Sequence, residues 1–264
     1  IDGLPGIPDR TAKAPREGLA ALLPGLENKG SSAGSALEVL AEPSDFMVPG
    51  VQSKETHPSV RYTGMGLLFS VPEPDDGKSV VADDGTVYQV SGKFAGFAPG
   101  TSGQRGTRGE QVSPAIAAAF MQAECDLANK NPEFEGKIKY FVIGGDPRPD
   151  NELYKEEQAR IAIANGFKVI FAEGVMPTPM ASFLVRFGHE FLGLEENAVI
   201  AGVFNDTPSH NPQKDDGIKL NRGGSSQGAL ISTEATAEVK ARTNQILEQK
   251  KGIKRLPDSI DFRK

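Results

Sequence analysis

The residues best suited to chemistry lie in one short loop, residues 207–212, with the sequence Thr-Pro-Ser-His-Asn-Pro. Its two prolines restrict the backbone on either side of the adjacent Ser209 and His210. The apolar run 198–204 precedes it and has the length of a buried strand. Lys219 follows the loop and brings a positive charge back toward the serine, so the residues favour a phosphoryl-transfer loop. The alternatives are an ordinary loop serine, a histidine that only makes hydrogen bonds, and a solvated surface lysine.

A second candidate is the glycine-rich stretch at residues 100–106, Gly-Thr-Ser-Gly-Gln-Arg-Gly. Backbone N–H groups in such a loop approach an anion closely because glycine has no side chain to keep it away. Arg105 adds a positive charge, although it would equally suit a structural pair with a carboxylate. Taken alone, the stretch is also compatible with a plain turn before a helix.

The elements that must position these loops alternate between strand and helix from residue 137 onward. The predicted strands are 138–143, 167–172 and 199–204, and the predicted helices are 152–165 and 180–191. This order is typical of a sheet with parallel strands and crossover helices. Ligands of such sheets bind beyond the carboxyl ends of the strands. The loops that begin at Gly144, Gly174 and Asn205 should therefore converge on one side.

The remaining chain predicts further helices and a hairpin around that unit. Ser113 and Pro114 begin a helix by the cap and first-turn rules, and another helix is expected over 234–249. Asp84-Gly85 between β-branched residues indicates a β-hairpin. Residues 1–58 are rich in Gly, Pro, Ser and Ala, with short helices expected near 17–23 and 36–41. We expect an α/β fold: a three-layer α/β/α domain with a mostly parallel mixed sheet, preceded by an irregular arm and a β-hairpin.

Composition narrows the class of protein. The 264 residues provide room for one large or two small domains. A net charge of −6 argues against nucleic acid as a partner, and no apolar run is long enough to span a membrane. The single cysteine, Cys125, excludes an intrachain disulfide and fits a reducing compartment, so we expect a cytoplasmic protein. Three histidines without zinc spacing give no transition-metal site.

Four motifs occur in a specific order and spacing. They are Thr-Ser-Gly-Gln-Arg-Gly at 101–106, Gly-Asp-Pro-Arg at 145–148, Pro-Thr-Pro at 177–179, and the serine loop with Gly-Ile-Lys at 217–219. Together they resemble the α-D-phosphohexomutases, and the serine loop followed by Asn-Arg-Gly-Gly at 221–224 is most similar to the bacterial phosphoglucomutase branch. The resemblance covers about residues 94–256, the first domain of that family. Residues 1–93 have no recognised counterpart, and 257–264 are expected to be an interdomain connector or tail.

The resemblance implies a role for each matched position. Ser209 would hold and exchange a phosphoryl group, and its phosphate would bind Mg²⁺. His210 and Lys219 would assist there, Lys219 by proton transfer or charge stabilisation, and Arg105 would neutralise phosphate charge. A hexose 1,6-bisphosphate would be the phosphoryl donor or intermediate. The implied substrate and phosphate contacts are Thr101, Ser102, Gly103 and Asn211. Asp146 and Arg148 suit either a loop-holding pair or a substrate contact.

The sequence also departs from that family. The Asp-Gly-Asp-x-Asp-Arg metal loop of the family's second domain has no match, and the sugar-selecting and distal phosphate-binding loops have none either. One hypothesis is therefore a catalytic-serine domain that interconverts hexose 1-phosphate and hexose 6-phosphate with the missing mutase domains or a partner chain. The other is a non-catalytic phosphosugar-binding or scaffold module that contacts a partner through residues 1–97.

Overall fold

The computed structural model describes residues 37–40, as backbone only, and residues 79–100, 103–226 and 232–262. Thr101, Ser102 and the helix expected near 17–23 lie outside these ranges. The strands are β1 (Leu37–Leu40), β2 (Val80–Val81), β3 (Val87–Tyr88), β4 (Gln104–Thr107), β5 (Ile138–Gly145), β6 (Lys168–Val175), β7 (Ala198–Asp206) and β8 (Asp215–Arg222). The α-helices are α1 (Pro114–Lys130), α2 (Asn151–Ala164), α3 (Thr178–Leu192) and α4 (Thr233–Gln249).

Six strands form one mixed sheet in the order β1-β6-β5-β7-β8-β4. The three central strands are parallel: β5 pairs with β6 on one side and with β7 on the other. Antiparallel strands complete both edges, with β1 beside β6 and with β8 and β4 beyond β7. The central strands have near-continuous apolar runs because helices cover both of their faces. The predicted α/β class with a mixed sheet is confirmed, but the sheet is not mostly parallel as expected, because three of its five described strand pairs are antiparallel.

The helices make two layers of unequal size. Helices α1, α2 and α4 pack on one face, where the rings of Phe120, Phe141 and Phe204 meet with centroid distances of 5.3 and 5.8 Å. Helix α3 covers the other face through Ala181 and Leu184, which lie in a second apolar cluster. Helix α1 begins as expected, since the Ser113 side chain accepts a hydrogen bond from the N–H of residue 116.

Two local expectations are wrong. Residues 104–106, expected to be part of a glycine-rich loop, lie in strand β4, in which Arg105 lies opposite Gly217 of β8. Residues 37–40, expected in a short helix, form β1 on the edge of β6. In both cases the neighbouring strand supplies hydrogen-bonding partners that are distant in sequence, and this tertiary context overrides local propensity.

The predicted hairpin is confirmed, and it packs against the C-terminal segment. Its turn has Gly85 at φ +89°, and β2 pairs antiparallel with β3. Arg255, 1% exposed, donates to Glu157 at 2.8 Å and to Asp84 at 2.8 Å. Tyr88 and Phe262 belong to the same apolar core as α1 and α2. The hairpin and this segment therefore share the core of the domain, while their correspondence to any family remains a prediction.

Among the described residues, no helix combines the length and the apolar content that a bilayer crossing requires.

Candidate active site

Three loops meet at the carboxyl edge of the parallel strands, as expected. Gly145, which ends β5, lies in register with Val175 of β6 and with Asp206 of β7. The Met176 N–H donates to the carbonyl of Gly145 at 2.8 Å, and the Asp146 N–H donates to the carbonyl of Asp206 at 3.1 Å. The loops that follow these strands are thus tied together where they leave the sheet.

Ser209 occupies a strained and exposed position in the loop after β7. Its φ is 67°, in the left-handed region that a residue with a side chain rarely adopts. Its backbone N–H donates to the Thr207 Oγ1 at 2.9 Å, which holds the turn. A left-handed serine costs about 1–2 kcal/mol, and such strain is typical of functional sites. The serine is therefore exposed to solvent, and the hydrogen bond to Thr207 restrains its backbone.

Arg148 and Asp146 hold the serine loop in place. The guanidinium of Arg148 donates to the carbonyls of Asn211, Pro212 and Asp215 at 2.8, 2.8 and 2.7 Å. Asp146 accepts from the Thr207 hydroxyl at 2.7 Å and from Arg148 at 3.3 Å. Of the two roles that the sequence left open for this pair, the contacts in the structure are those of loop holding.

The carboxylates of Asp215 and Asp216, which follow the loop, both make hydrogen bonds within the protein. Asp216 is fully buried and accepts from Arg108 Nε and from the Tyr154 hydroxyl, both at 2.9 Å. Asp215 accepts from the Asn211 side chain at 3.0 Å. Asn211 therefore closes the loop through both its amide and its carbonyl, and the negative charge of Asp216 is neutralised inside the protein.

Lys219 is a buried lysine. It is 3% exposed, and its Nζ donates to the hydroxyl of Thr178, the first residue of α3, at 2.9 Å. Burial and then the positive charge of Arg105 lower the pKa of Lys219, while Asp146 acts in the opposite direction. The lysine therefore releases its proton more easily than a surface lysine, as a general base requires. The solvated alternative that the sequence left open does not apply.

Arg105 carries an unused donor. Its Nε is buried and has no hydrogen-bond acceptor among the described residues, and no carboxylate of those residues is paired with it. Buried donors are almost always satisfied, so this one is unused and suits an acceptor such as a phosphate oxygen. Its charge acts on Lys219, and both residues lie on the paired strands β4 and β8. The structure brings these two predicted residues together.

The structure also describes two other predicted residues, His210 and Gly103. His210 is exposed beside Ser209. Gly103, at φ +92°, approaches β8 so closely that a Cβ there would lie 2.2 Å from the Ile218 carbonyl oxygen and 2.7 Å from the Lys219 Cα. Sequence reasoning missed the hydroxyl of Thr178 as the partner of Lys219. The Pro-Thr-Pro motif was its only signal.

The described residues offer few ligands for a metal ion. No group of three or more His, Cys, Asp or Glu side chains in the described ranges is placed to hold one. Ser209 would supply a single oxygen. The described residues therefore do not by themselves form a Mg²⁺ site.

Comparison with known proteins identifies similar sequences. A protein-family model described as "Phosphoglucomutase/phosphomannomutase, alpha/beta/alpha domain I" matches residues 96–250. The chain is 28% identical over 149 residues to a phosphoglucosamine mutase of Corynebacterium aurimucosum, covering 56% of this chain and 30% of that protein. It is 32% identical over 166 residues to phosphoglucomutase-1 of Paramecium tetraurelia, covering 61% and 27%.

Among solved structures, the exocytosis-sensitive phosphoprotein pp63/parafusin, a phosphoglucomutase from Paramecium in its open form, aligns with a TM-score of 0.46 and 30% identity. The alignment covers 60% of this chain and 27% of that one. The chain thus spans about 30% of the length of the curated relatives that it matches.

Proposed function

Because the chain belongs to the phosphoglucomutase/phosphomannomutase family through its α/β/α domain I, we propose that it carries the phosphoryl-accepting serine of a hexose phosphomutase, Ser209. In this proposal, turnover needs further domains. The chain spans only about 30% of its relatives' length, and neither a sugar-binding nor a distal phosphate-binding loop is found in it.

The observation that carries the proposal is the strained, exposed Ser209 in a loop anchored to Asp146, together with a buried lysine and an arginine that has an unused donor. Ser209 is tied through Thr207 to Asp146, and the charge of Asp146 acts on Lys219. The charge of Arg105, whose Nε is unpaired, lowers the pKa of Lys219. A fixed hydroxyl, a buried base and a guanidinium with an unused donor are the groups that phosphoryl transfer needs.

Each residue has a defined part in the proposed reaction. The Oγ of Ser209 attacks the phosphorus of a hexose 1,6-bisphosphate, the new Oγ–P bond forms, and the bond from phosphorus to the sugar oxygen breaks. Lys219 takes the serine proton and returns it to the departing sugar oxygen. Arg105 offsets the negative charge on the nonbridging oxygens. The reverse transfer delivers the phosphoryl group to a hexose monophosphate. His210, Thr101, Ser102, Gly103 and Asn211 are proposed contacts of the phosphate or sugar.

The proposal assigns Mg²⁺ only one ligand from this chain, an oxygen on phosphorylated Ser209. The remaining ligands would come from the missing mutase domains or a partner chain. The metal would offset charge on the transferring phosphoryl group.

The proposed substrate class is hexose phosphates. One similar relative, at 28% identity, is named phosphoglucosamine mutase, and another, at 32% identity, is named phosphoglucomutase-1. The proposal therefore does not specify which hexose is the substrate. The alternative is a phosphosugar-binding or scaffold module, favoured by the lack of sugar-binding loops in the chain. The cytoplasm is the proposed location, which suits a chain whose single cysteine is reduced and buried.

The test is peptide mass spectrometry of the full chain after incubation with glucose 1,6-bisphosphate and Mg²⁺. We expect one added phosphate on the peptide that contains Ser209, none in Ser209→Ala, and slower labelling in Lys219→Gln. Ser91→Ala, a half-buried serine far from Ser209 in the sequence, is the control and should be labelled like the wild type. Binding of the bisphosphate without any phosphate on Ser209 between pH 6 and 9, with the missing mutase domains added as well as without them, would refute the proposal and favour the module.

A further inference from the structure

Asn205 is a fully buried amide without a hydrogen bond. It is 0% exposed, and neither its Oδ1 nor its Nδ2 has a partner among the residues that the structure describes. An unpaired buried amide is unfavourable, so the fold retains this side chain at a cost in stability. The proposed phosphoryl transfer gives Asn205 no direct role, since it does not reach the solvent that carries substrate.

Strand pairing places Asn205 beside Lys219. In the antiparallel ladder of β7 and β8, Asn205 and Lys219 are directly opposite each other. Opposite residues of an antiparallel pair point to the same face, with Cβ atoms about 4.5–5.5 Å apart. That face is the one under α3, because Lys219 donates to Thr178 and Val203, two residues before Asn205, packs in the α3 cluster. The amide and the ammonium therefore share one buried space.

A base that changes its charge needs partners for both states. A protonated lysine has three N–H donors, and Thr178 accepts one of them. A neutral lysine has a lone pair that accepts a hydrogen bond. An amide offers both an acceptor oxygen and donor N–H groups, and it carries no charge that would hold the proton on the lysine.

We propose that Asn205 is a positioning residue for Lys219, and that its amide engages the lysine as it gains and loses a proton. The role as a base rests on the proposed function, whereas the pairing rests on the strand register. The charged groups that act on Lys219 are Arg105 from β4 and Asp146 from the loop after β5. Asn205 and Thr178 are thus uncharged neighbours of Lys219. The charges that shift its pKa belong to Arg105 and Asp146.

The direct test is NMR titration of the Nζ of Lys219 in the full chain with ¹⁵N-labelled lysine, assigned with Lys219→Arg. Asn205→Leu removes an acceptor that favours the protonated form, so the pKa of Lys219 should fall by about half a unit. Asn205→Asp, nearly isosteric, adds a negative charge and should raise it by about one unit or more. Asn221→Leu, an equally buried amide on the same face of β8 that is bonded to Ser182, is the matched control. It should leave the titration nearly unchanged.

A second measurement separates this inference from the proposed function. The rate of Ser209 phosphorylation by glucose 1,6-bisphosphate is followed against pH, and Asn205→Asp should move the rise in rate to higher pH by the shift seen in the titration. A Lys219 titration equal in wild type, Asn205→Leu and Asn205→Asp would overturn the inference even if Ser209 is phosphorylated. Opposite shifts in the two variants without phosphorylation would support the pairing and refute the function. Asn205→Asp keeps the test open if the leucine variant does not fold.

Discussion

The Asp206→Asn substitution should make the protein more stable at alkaline pH while changing little at acidic pH. Asp206 ends β7 and is fully buried. Its Oδ1 accepts from Gln158 at 3.0 Å, but its Oδ2 has no donor among the described residues. Burial raises the pKa of Asp206 to about 8, although Gln158 and Lys155 oppose the shift. An asparagine at this position would keep the bond from Gln158 and would never ionise.

The direction of the pH effect on stability follows from the raised pKa of Asp206. The carboxyl has a pKa of about 4 in the unfolded chain and about 8 in the folded one, so between these values the folded state holds a proton that the unfolded state has released. The contribution of this group to stability is fully present below about pH 4 and is lost as the pH rises through 8. A difference of about 4 units corresponds to about 6 kcal/mol at most. Water that enters with ionisation reduces this, and we expect about 3 kcal/mol.

The assay is urea denaturation of wild type and Asp206→Asn at pH 5 and pH 9, with the difference between the two proteins compared across pH. That difference should be within 1 kcal/mol at pH 5 and about 3 kcal/mol in favour of the variant at pH 9. Glu135→Gln, which removes an exposed carboxylate, controls for the change in net charge. A difference that stays constant from pH 5 to 9, or that favours the wild type at pH 9, would refute the reasoning.

Three other substitutions test the contacts around the site by the same denaturation measurement. Ser209→Gly should be about 1 kcal/mol more stable than Ser209→Ala, because only glycine relieves the left-handed backbone; equal stabilities would contradict the strain. Arg148→Lys should cost about 2 kcal/mol and speed amide exchange in the serine loop, since one ammonium does not replace three guanidinium bonds to carbonyls. Unchanged exchange would speak against its loop-holding role. Glu124→Gln should cost about 3 kcal/mol, because it removes the carboxylate that the largely buried guanidinium of Arg222 contacts at 2.6 and 2.7 Å. A loss below 1 kcal/mol would show that the pair contributes little.

Elements whose cause is local were predictable from the sequence. The hairpin at Asp84-Gly85 and the start of α1 at Ser113-Pro114 depend on backbone preferences of one or two residues. The alternation of strands and helices after residue 137 depends on apolar runs and on the helix ends between them. Parallel strands with crossover connections then bring their carboxyl ends together, so the meeting of the loops also followed from the order of elements.

The motifs of the candidate site were visible for the same reason, because each is a short contiguous string. The sequence could place Ser209 in a restricted loop and Arg105 in a glycine-rich stretch. It could not choose between a structural and a substrate role for Arg148, since the answer lies in its bonds to carbonyls more than 60 residues away.

Tertiary structure alone decided which polar groups are buried and what they face. The sequence at 104–107 lacks strand periodicity, and β4 exists because β8 offers it a ladder of hydrogen bonds. Lys219 looks like a surface lysine until the register of β7 and β8 buries it between Asn205 and Thr178. Register and burial depend on contacts between residues far apart in the chain, and local patterns contain no information about those contacts. The sequence by itself determined the loop and its candidate nucleophile, and the packed sheet determined which of the polar groups around the loop are buried and what they contact.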